Sequence, residues 1–208
     1  MGLSLPDITL NQVLLRVGAA LLTLGAYGLA AAVASRAAGD RGPAYDGRLT
    51  PNPFTHLDVI GLVAAVFYRV TWMRPLGADP REFKRPLLGS ALLVAAGTLA
   101  ALALAFLALL ARPLVLRMIG SNAGFTAAAL LDNTFEVAAA TALLNLVPLP
   151  PLLAGVLWGA AGGRARELAE RPATRVIGTV LVAVLLVSGA AAPVFATWWR
   201  FLRGLAGF

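Results

Sequence analysis

Cysteine is absent from the 208 residues, which excludes disulfides, thiolate-ligated clusters and thiol nucleophiles. Histidine occurs once, as His56, so the chain alone cannot build a bis-histidine haem site or a histidine-rich metal site. Charge is scarce as well: Asp, Glu, Lys and Arg make up 13% of the residues, whereas 59% are hydrophobic. A soluble domain needs far more polar surface than that to cover its core. No Lys or Arg precedes Arg16, and no short apolar region with a processing site follows it. The first apolar run is therefore expected to be a retained span and not a cleaved signal.

Uncharged length, by contrast, is abundant. Residues 17–35, 87–111, 137–163 and 176–199 each lack Asp, Glu, Lys and Arg, and about 20 apolar helical residues suffice to cross a hydrocarbon layer. The chain reads as an integral membrane protein. Its net charge of +7 comes from seventeen basic residues, which gather in short loops between the spans. That is the positive-inside pattern, not a nucleic-acid surface, and nucleic acid is excluded as a partner.

In chain order, residues 1–11 read as a short polar or interfacial lead and 12–38 as a first helix rich in Ala and Gly. Small residues of this kind let helix backbones approach closely in lipid. Residues 39–53 form a Gly/Pro/Asp/Arg-rich loop. The segment 54–73 is apolar but interrupted by His56, Asp58 and Arg69, so a span, a re-entrant segment and an interfacial helix all fit. A charged loop at 74–85 leads to Pro86, placed where a helix start tolerates proline, and to a span at 87–111. Residues 112–122 read as a connector. The stretch 123–163 holds Asp132 and Glu136 early and is broken at Pro148-Leu149-Pro150-Pro151. Residues 164–175 form a second basic loop before a last span at 176–199, whose Trp198, Trp199 and Arg200 mark an interfacial end. Placing the basic loops 36–48, 74–85 and 164–175 on one side requires that 54–73 not cross fully. The expected fold is all-α and polytopic, a single transmembrane domain over 1–208 with about four spans (four to six) and a short extended or re-entrant loop region.

Three separated motifs then stand out. The first is Gly39-Asp40 followed by Gly47-Arg48-Leu49-Thr50-Pro51-Asn52-Pro53-Phe54-Thr55-His56-Leu57-Asp58, with Gly61 beyond it. The second is Asp79-Pro80-Arg81-Glu82-Phe83 leading into a helix with Ala96-Gly97. The third is Asn145-Leu146-Val147-Pro148-Leu149-Pro150-Pro151-Leu152. Together they resemble the loop, helix and proline-break motifs of the bacterial site-2 protease family of intramembrane zinc proteases. Order and spacing agree across roughly residues 20–165. The resemblance implies a transmembrane core over about 12–165, with an additional C-terminal span at about 176–199, in a multi-pass protein of the bacterial inner (cytoplasmic) membrane.

The departures from that family bear on function. Its first helix carries HExxH, whose two His bind zinc while the Glu activates water. By the family's spacing those positions fall at Tyr27, Gly28 and Ala31, and the third ligand, an Asp, falls at Leu153. A catalytic zinc site needs three protein ligands and an open position for water; no catalytic or metal-binding residue is therefore expected, and no cofactor. His56 with Asp58, Asp132 or Glu136 makes a poor substitute set. Ser35, Ser90, Ser121 and Ser188 lie in no recognisable nucleophile elbow. The loss of ligands suggests a former water-filled cavity now plugged by Tyr27, Ala31 and Leu153.

The retained motif residues are expected in binding or structural roles: Asn52, Pro53, His56, Asp58, Asn145, Pro148 and Pro150. His56 and Asp58 read as a surface or interface pair holding their loop by hydrogen bonds, or else contacting a partner or a lipid headgroup; a single axial haem ligand is a remote third use of His56. By the resemblance, Asn145 faces inward, where its amide would serve carbonyls freed by Pro148 and Pro150. Asp132 and Glu136 share a helix face near the interface, or else mark a proton or ion path. The expected function is that of a pseudoprotease, without enzymatic activity, whose partners are other transmembrane proteins or subunits and membrane lipids. Its role would be an accessory or structural subunit of a larger bacterial membrane complex, such as a bioenergetic or photosynthetic assembly. The alternatives are a regulator or chaperone of single-span proteins and a residual metalloprotease.

Overall fold

A computed structural model describes residues 8–207, so only the later part of the expected 1–11 lead can be compared with it. Helix α1 (Leu10–Ala38) opens on a capping box in which Thr9 accepts from Gln12 N–H and the Gln12 side chain reaches back to Thr9 N–H. Two further long helices follow, α4 (Pro86–Met118) and α5 (Asn122–Leu144). These three are long and apolar enough to cross a membrane, and they pack on one another as the core of the molecule. Facing positions are dominated by alanine: Ala19, Ala20, Ala31, Ala32, Ala101, Ala105, Ala138 and Ala139 are all fully buried. Close backbone approach of this kind is how helices hold together where lipid is as apolar as their side chains. The expected all-α polytopic architecture is what the structure has.

Between α1 and α4 the chain makes an excursion. After the short α2 (Gly42–Tyr45) it runs back along α1, passing Gly25 at Pro51 and Gly28 at His56. A 3₁₀ turn (Pro53–Thr55) and α3 (Val59–Tyr68) follow, and the deepest part packs Ala65 against Ala19 and Ala20. The chain then returns through an extended stretch, where Leu57 and Met73 form an isolated antiparallel bridge. Lys84 N–H donates to the Ala38 carbonyl at 3.0 Å, so the excursion starts and finishes at the same end of the bundle. Of the three options for 54–73, the re-entrant one holds: α3 has only ten residues, about half of what a crossing needs.

Two boundaries differ from the sequence expectation. Helix α4 does not stop at residue 111 but carries Pro113 within its last turns and continues to Met118. One proline near a helix end removes a single backbone hydrogen bond, and the remaining turns hold. The expected loop 164–175 contains α7 (Gly163–Glu170), which follows α6 (Val156–Ala161) after the 3₁₀ turn Leu153–Gly155.

The last span is the larger correction. It is not one straight helix over 176–199 but two, α8 (Pro172–Val187) and α9 (Ala192–Leu205), bent by 78°. Gly189 at the break has φ +75°, a conformation glycine alone adopts without strain, and Pro193 restarts the helix in its first turn. Trp198 and Trp199 fall on α9, beyond that break. Their indole N–H groups donate to the carbonyls of Ala139 and Glu136 on α5, at 2.9 and 3.0 Å. Counted as one span, the bent pair brings the candidate spans among the described residues to four.

Candidate functional site

The positions matched to the family's zinc ligands come from distant parts of the chain, and the fold brings them together. Tyr27 and Ala31 lie one turn apart on α1, fully buried, and Leu153 sits on the 3₁₀ turn beyond the proline break. They meet at Gly97 of α4. A Cβ built there would lie 2.5 Å from Leu153 Cδ2 and 3.5 Å from both Ala31 Cβ and the Tyr27 carbonyl oxygen. Gly97 therefore belongs to the site, although the sequence offered it only as part of an Ala-Gly pair. The fourth position, Gly28, is covered by His56: a Cβ on Gly28 would fall 2.5 Å from the imidazole Cγ and Nδ1.

His56 is not at a surface. It is fully buried, its Nε2 lies 3.0 Å from the Thr50 carbonyl oxygen, and its own carbonyl accepts from Arg74 N–H at 3.0 Å. A carbonyl only accepts, so Nε2 carries the proton and Nδ1 is left without a partner among the described residues. With one nitrogen engaged and the other sealed, neither is open to a headgroup or an axial metal. Asp58 does not pair with it. Its carboxylate caps α3 by accepting from Gly61 N–H at 2.9 Å, while Asn52 caps the 3₁₀ turn begun by Pro53 by accepting from Phe54 N–H at 3.1 Å.

At the break, Asn145 is buried as expected, but its role differs. Both side-chain amide atoms lack partners among the described residues, and only its backbone carbonyl works across the break, accepting from Ala154 N–H at 3.2 Å. The carbonyl freed at Pro148 is served instead by the Trp158 indole N–H at 2.8 Å. Pro150 stands two residues on and joins Pro151 through a cis peptide.

Beside the ligand positions the fold keeps a cavity of about 340 Å³, so the expected plug fills the ligand positions themselves and not the space next to them. Tyr27, Met73, Leu93 and Leu153 form its apolar side, and Arg81, Arg166, Glu170 and Arg175 its rim. Across that rim Arg81 grips Asp79 through Nε and the terminal nitrogen, the shortest contact being 2.7 Å. This hydrogen-bonded guanidinium holds the Asp79 carboxyl below its usual range. The basic loops 74–85 and 164–175 thus share one end of the bundle, with the end of α1.

Asp40, which the sequence showed only as half of Gly39-Asp40, joins these parts. Its buried carboxylate accepts from Gly42 N–H (2.7 Å), Asp79 N–H (3.0 Å) and the Ser35 hydroxyl (3.3 Å). Asp132 and Glu136 are committed to cations. Asp132 meets Arg112 at 2.9 Å, and Glu136 meets Arg69 at 3.0 Å and Arg203 at 3.5 Å. Each carboxylate thus has a guanidinium partner beside it. Among the described residues no group of three His, Asp or Glu is placed to hold a metal ion.

A polytopic helical bundle with a re-entrant excursion and a proline-broken turn brings the motifs that resemble the site-2 protease family together beside α1. In agreement, the chain is 34% identical over 118 residues to the "Putative zinc metalloprotease YwhC" of Bacillus subtilis (strain 168). The match covers 55% of this chain and 53% of the relative, about half the relative's length. No family profile matches the chain, and no solved structure matches it.

Proposed function

We propose that this is a non-catalytic site-2-protease-like protein of the bacterial inner membrane. In this reading it binds transmembrane helices as an accessory or structural subunit of a larger membrane complex, with a bioenergetic or photosynthetic assembly as one setting. The observation that carries the reading is the convergence of Tyr27, Ala31 and Leu153 on Gly97, with Gly28 under His56. It supports the register by which these four positions stand where a zinc protease keeps its ligands and base. The residues present do not fit zinc: a buried phenol, a bare backbone position, a methyl and an isobutyl group offer no set of three donors. His56, the one imidazole, has its Nε2 engaged by Thr50.

A second reading draws on the remaining cavity of about 340 Å³ beside these positions. A site that keeps an opening but no ligands suits transient gripping of single-span proteins by a regulator or chaperone. Gentle extraction followed by native-mass measurement separates the two. A subunit co-purifies in fixed stoichiometry with defined chains; a chaperone appears with substoichiometric, varied clients. A free monomer in every preparation overturns both readings. Zinc at one equivalent per chain in metal analysis overturns the non-catalytic proposal itself.

A further inference from the structure

At the opposite end of α1 lies a second cavity, unrelated to the ligand positions and independent of the proposed function. It measures about 300 Å³ and opens between the end of α3 and the elbow joining α8 to α9. Arg16, Phe67, Tyr68, Arg69, Phe195 and Trp199 line it. We propose that this cleft binds the phosphodiester of an anionic glycerophospholipid, held between Arg16 and Arg69 with its glycerol and first acyl carbons against the aromatic walls.

Arg16 motivates the assignment. It is only 6% exposed, in the second turn of α1, yet no carboxylate lies within salt-bridge distance of it among the described residues. One terminal nitrogen donates to the Val66 carbonyl, but Nε is buried and has no partner among the described residues. Among the described residues the nearby carboxylate is Glu136, already shared by Arg69 and Arg203. Three guanidiniums thus face one carboxylate, leaving an excess of positive charge in a partly buried, low-dielectric setting. A buried charge of that kind calls for an anion. Guanidinium groups bind phosphate through short, charge-assisted, often paired hydrogen bonds. The stacked pair Phe195–Trp199, centroids 6.1 Å apart, supplies the amphipathic wall that lies at headgroup depth in membrane proteins. A free anion would leave that wall without an apolar occupant, whereas a lipid satisfies both halves of the cleft.

The test uses the full chain purified in a neutral detergent and exchanged against phosphatidylglycerol, phosphatidylcholine or inorganic phosphate, with bound species read by native mass spectrometry. One phosphatidylglycerol per chain is expected, retained about ten-fold better than phosphatidylcholine and not displaced by inorganic phosphate. Arg16→Gln should lose that preference, Arg16→Lys should keep part of it, and the exposed Arg200→Gln should leave it intact. Equal retention of the two lipids, an unchanged Arg16→Gln, or displacement by inorganic phosphate overturns the site. Should Arg16→Gln not be recovered folded, titration of the unaltered chain decides. A saturable, single-site rise in melting temperature with phosphatidylglycerol supports the assignment, and its absence overturns it.

Discussion

The imidazole of His56 lies on the bare backbone of Gly28, and the space a Cβ would need there, 2.5 Å from the ring, is already filled. A residue from the re-entrant loop thus occupies the position that a larger side chain on α1 would require.

Gly28→Ala should therefore destabilise the protein by about 1–3 kcal/mol, the usual cost of an extra methyl group in a filled core. Combining it with His56→Ala should recover part of the loss, because residues in contact couple by about 0.5–3 kcal/mol. Thermal unfolding in detergent of the two single variants and the double variant reads this directly. A neutral Gly28→Ala would show that the ring can yield.

Rebuilding the ligand set takes one more change than the sequence implies. Tyr27→His, Gly28→Glu, Ala31→His and Leu153→Asp together should bind zinc poorly while His56 covers position 28. Adding His56→Ala should bring binding to one zinc per chain. Metal content after dialysis is the readout. Zinc uptake by neither set would argue against the register.

Asp40→Ala should cost about 2–4 kcal/mol, since its carboxylate serves Ser35, Gly42 and Asp79 and each buried donor left unpaired costs about 1–3 kcal/mol. The expected signature is local as well as global, with faster protease cleavage within residues 74–85. Cleavage at the unaltered rate would mean that other contacts hold the loop.

Glu136→Gln should be more damaging than Asp132→Asn. The first strands two arginines and has a side chain only 19% exposed, while the second loosens one pair whose groups are 37–41% exposed. Solvent screening limits the Asp132 pair to about 0–1 kcal/mol, and the more sheltered Glu136 cluster should exceed it. Melting temperatures of the two variants in the same detergent give the order.

The Asp79–Arg81 clasp should respond to acid. Because the folded state holds the Asp79 carboxyl below its ordinary value, the clasp contributes fully above the unfolded pKa of about 3.9. It weakens as pH falls from there through the lower folded value. Hydrogen exchange across 79–83 should speed up over that acidic window, and Asp79→Asn should abolish the step. A step centred near neutrality would point to another group.

The long helices were legible in the sequence because uncharged length is a one-dimensional property. Spacing to the motifs singled out Tyr27, Gly28, Ala31 and Leu153, but that Tyr27, Ala31 and Leu153 meet at Gly97 is visible only in three dimensions. What escaped the sequence depends on partners far along the chain. Segment 54–73 admitted three readings, since ten apolar residues look alike in a span, a buried turn and an interface. The elbow at 188–191 was hidden because Ser188, Gly189 and two alanines fit an apolar run as well as they fit a break. His56 and Asp58 appeared as a pair through proximity in sequence, whereas one fills a gap on α1 and the other caps α3. The helix at 163–170 was masked by its charge, which says where a segment lies and little about its conformation.

The excursion between α1 and α4 carries a consequence for biogenesis. Its polar groups find their partners on α1 and on the loop before α4: the carbonyl of His56 on Arg74 N–H, the carboxylate of Asp40 on Asp79 N–H, the N–H of Lys84 on the Ala38 carbonyl. None of these exists for a nascent chain that has emerged only as far as residue 73. Such a segment cannot be left in lipid alone with its backbone unserved. It is expected to wait at the membrane surface until α4 has threaded, and then to slot inward as the closing step of assembly.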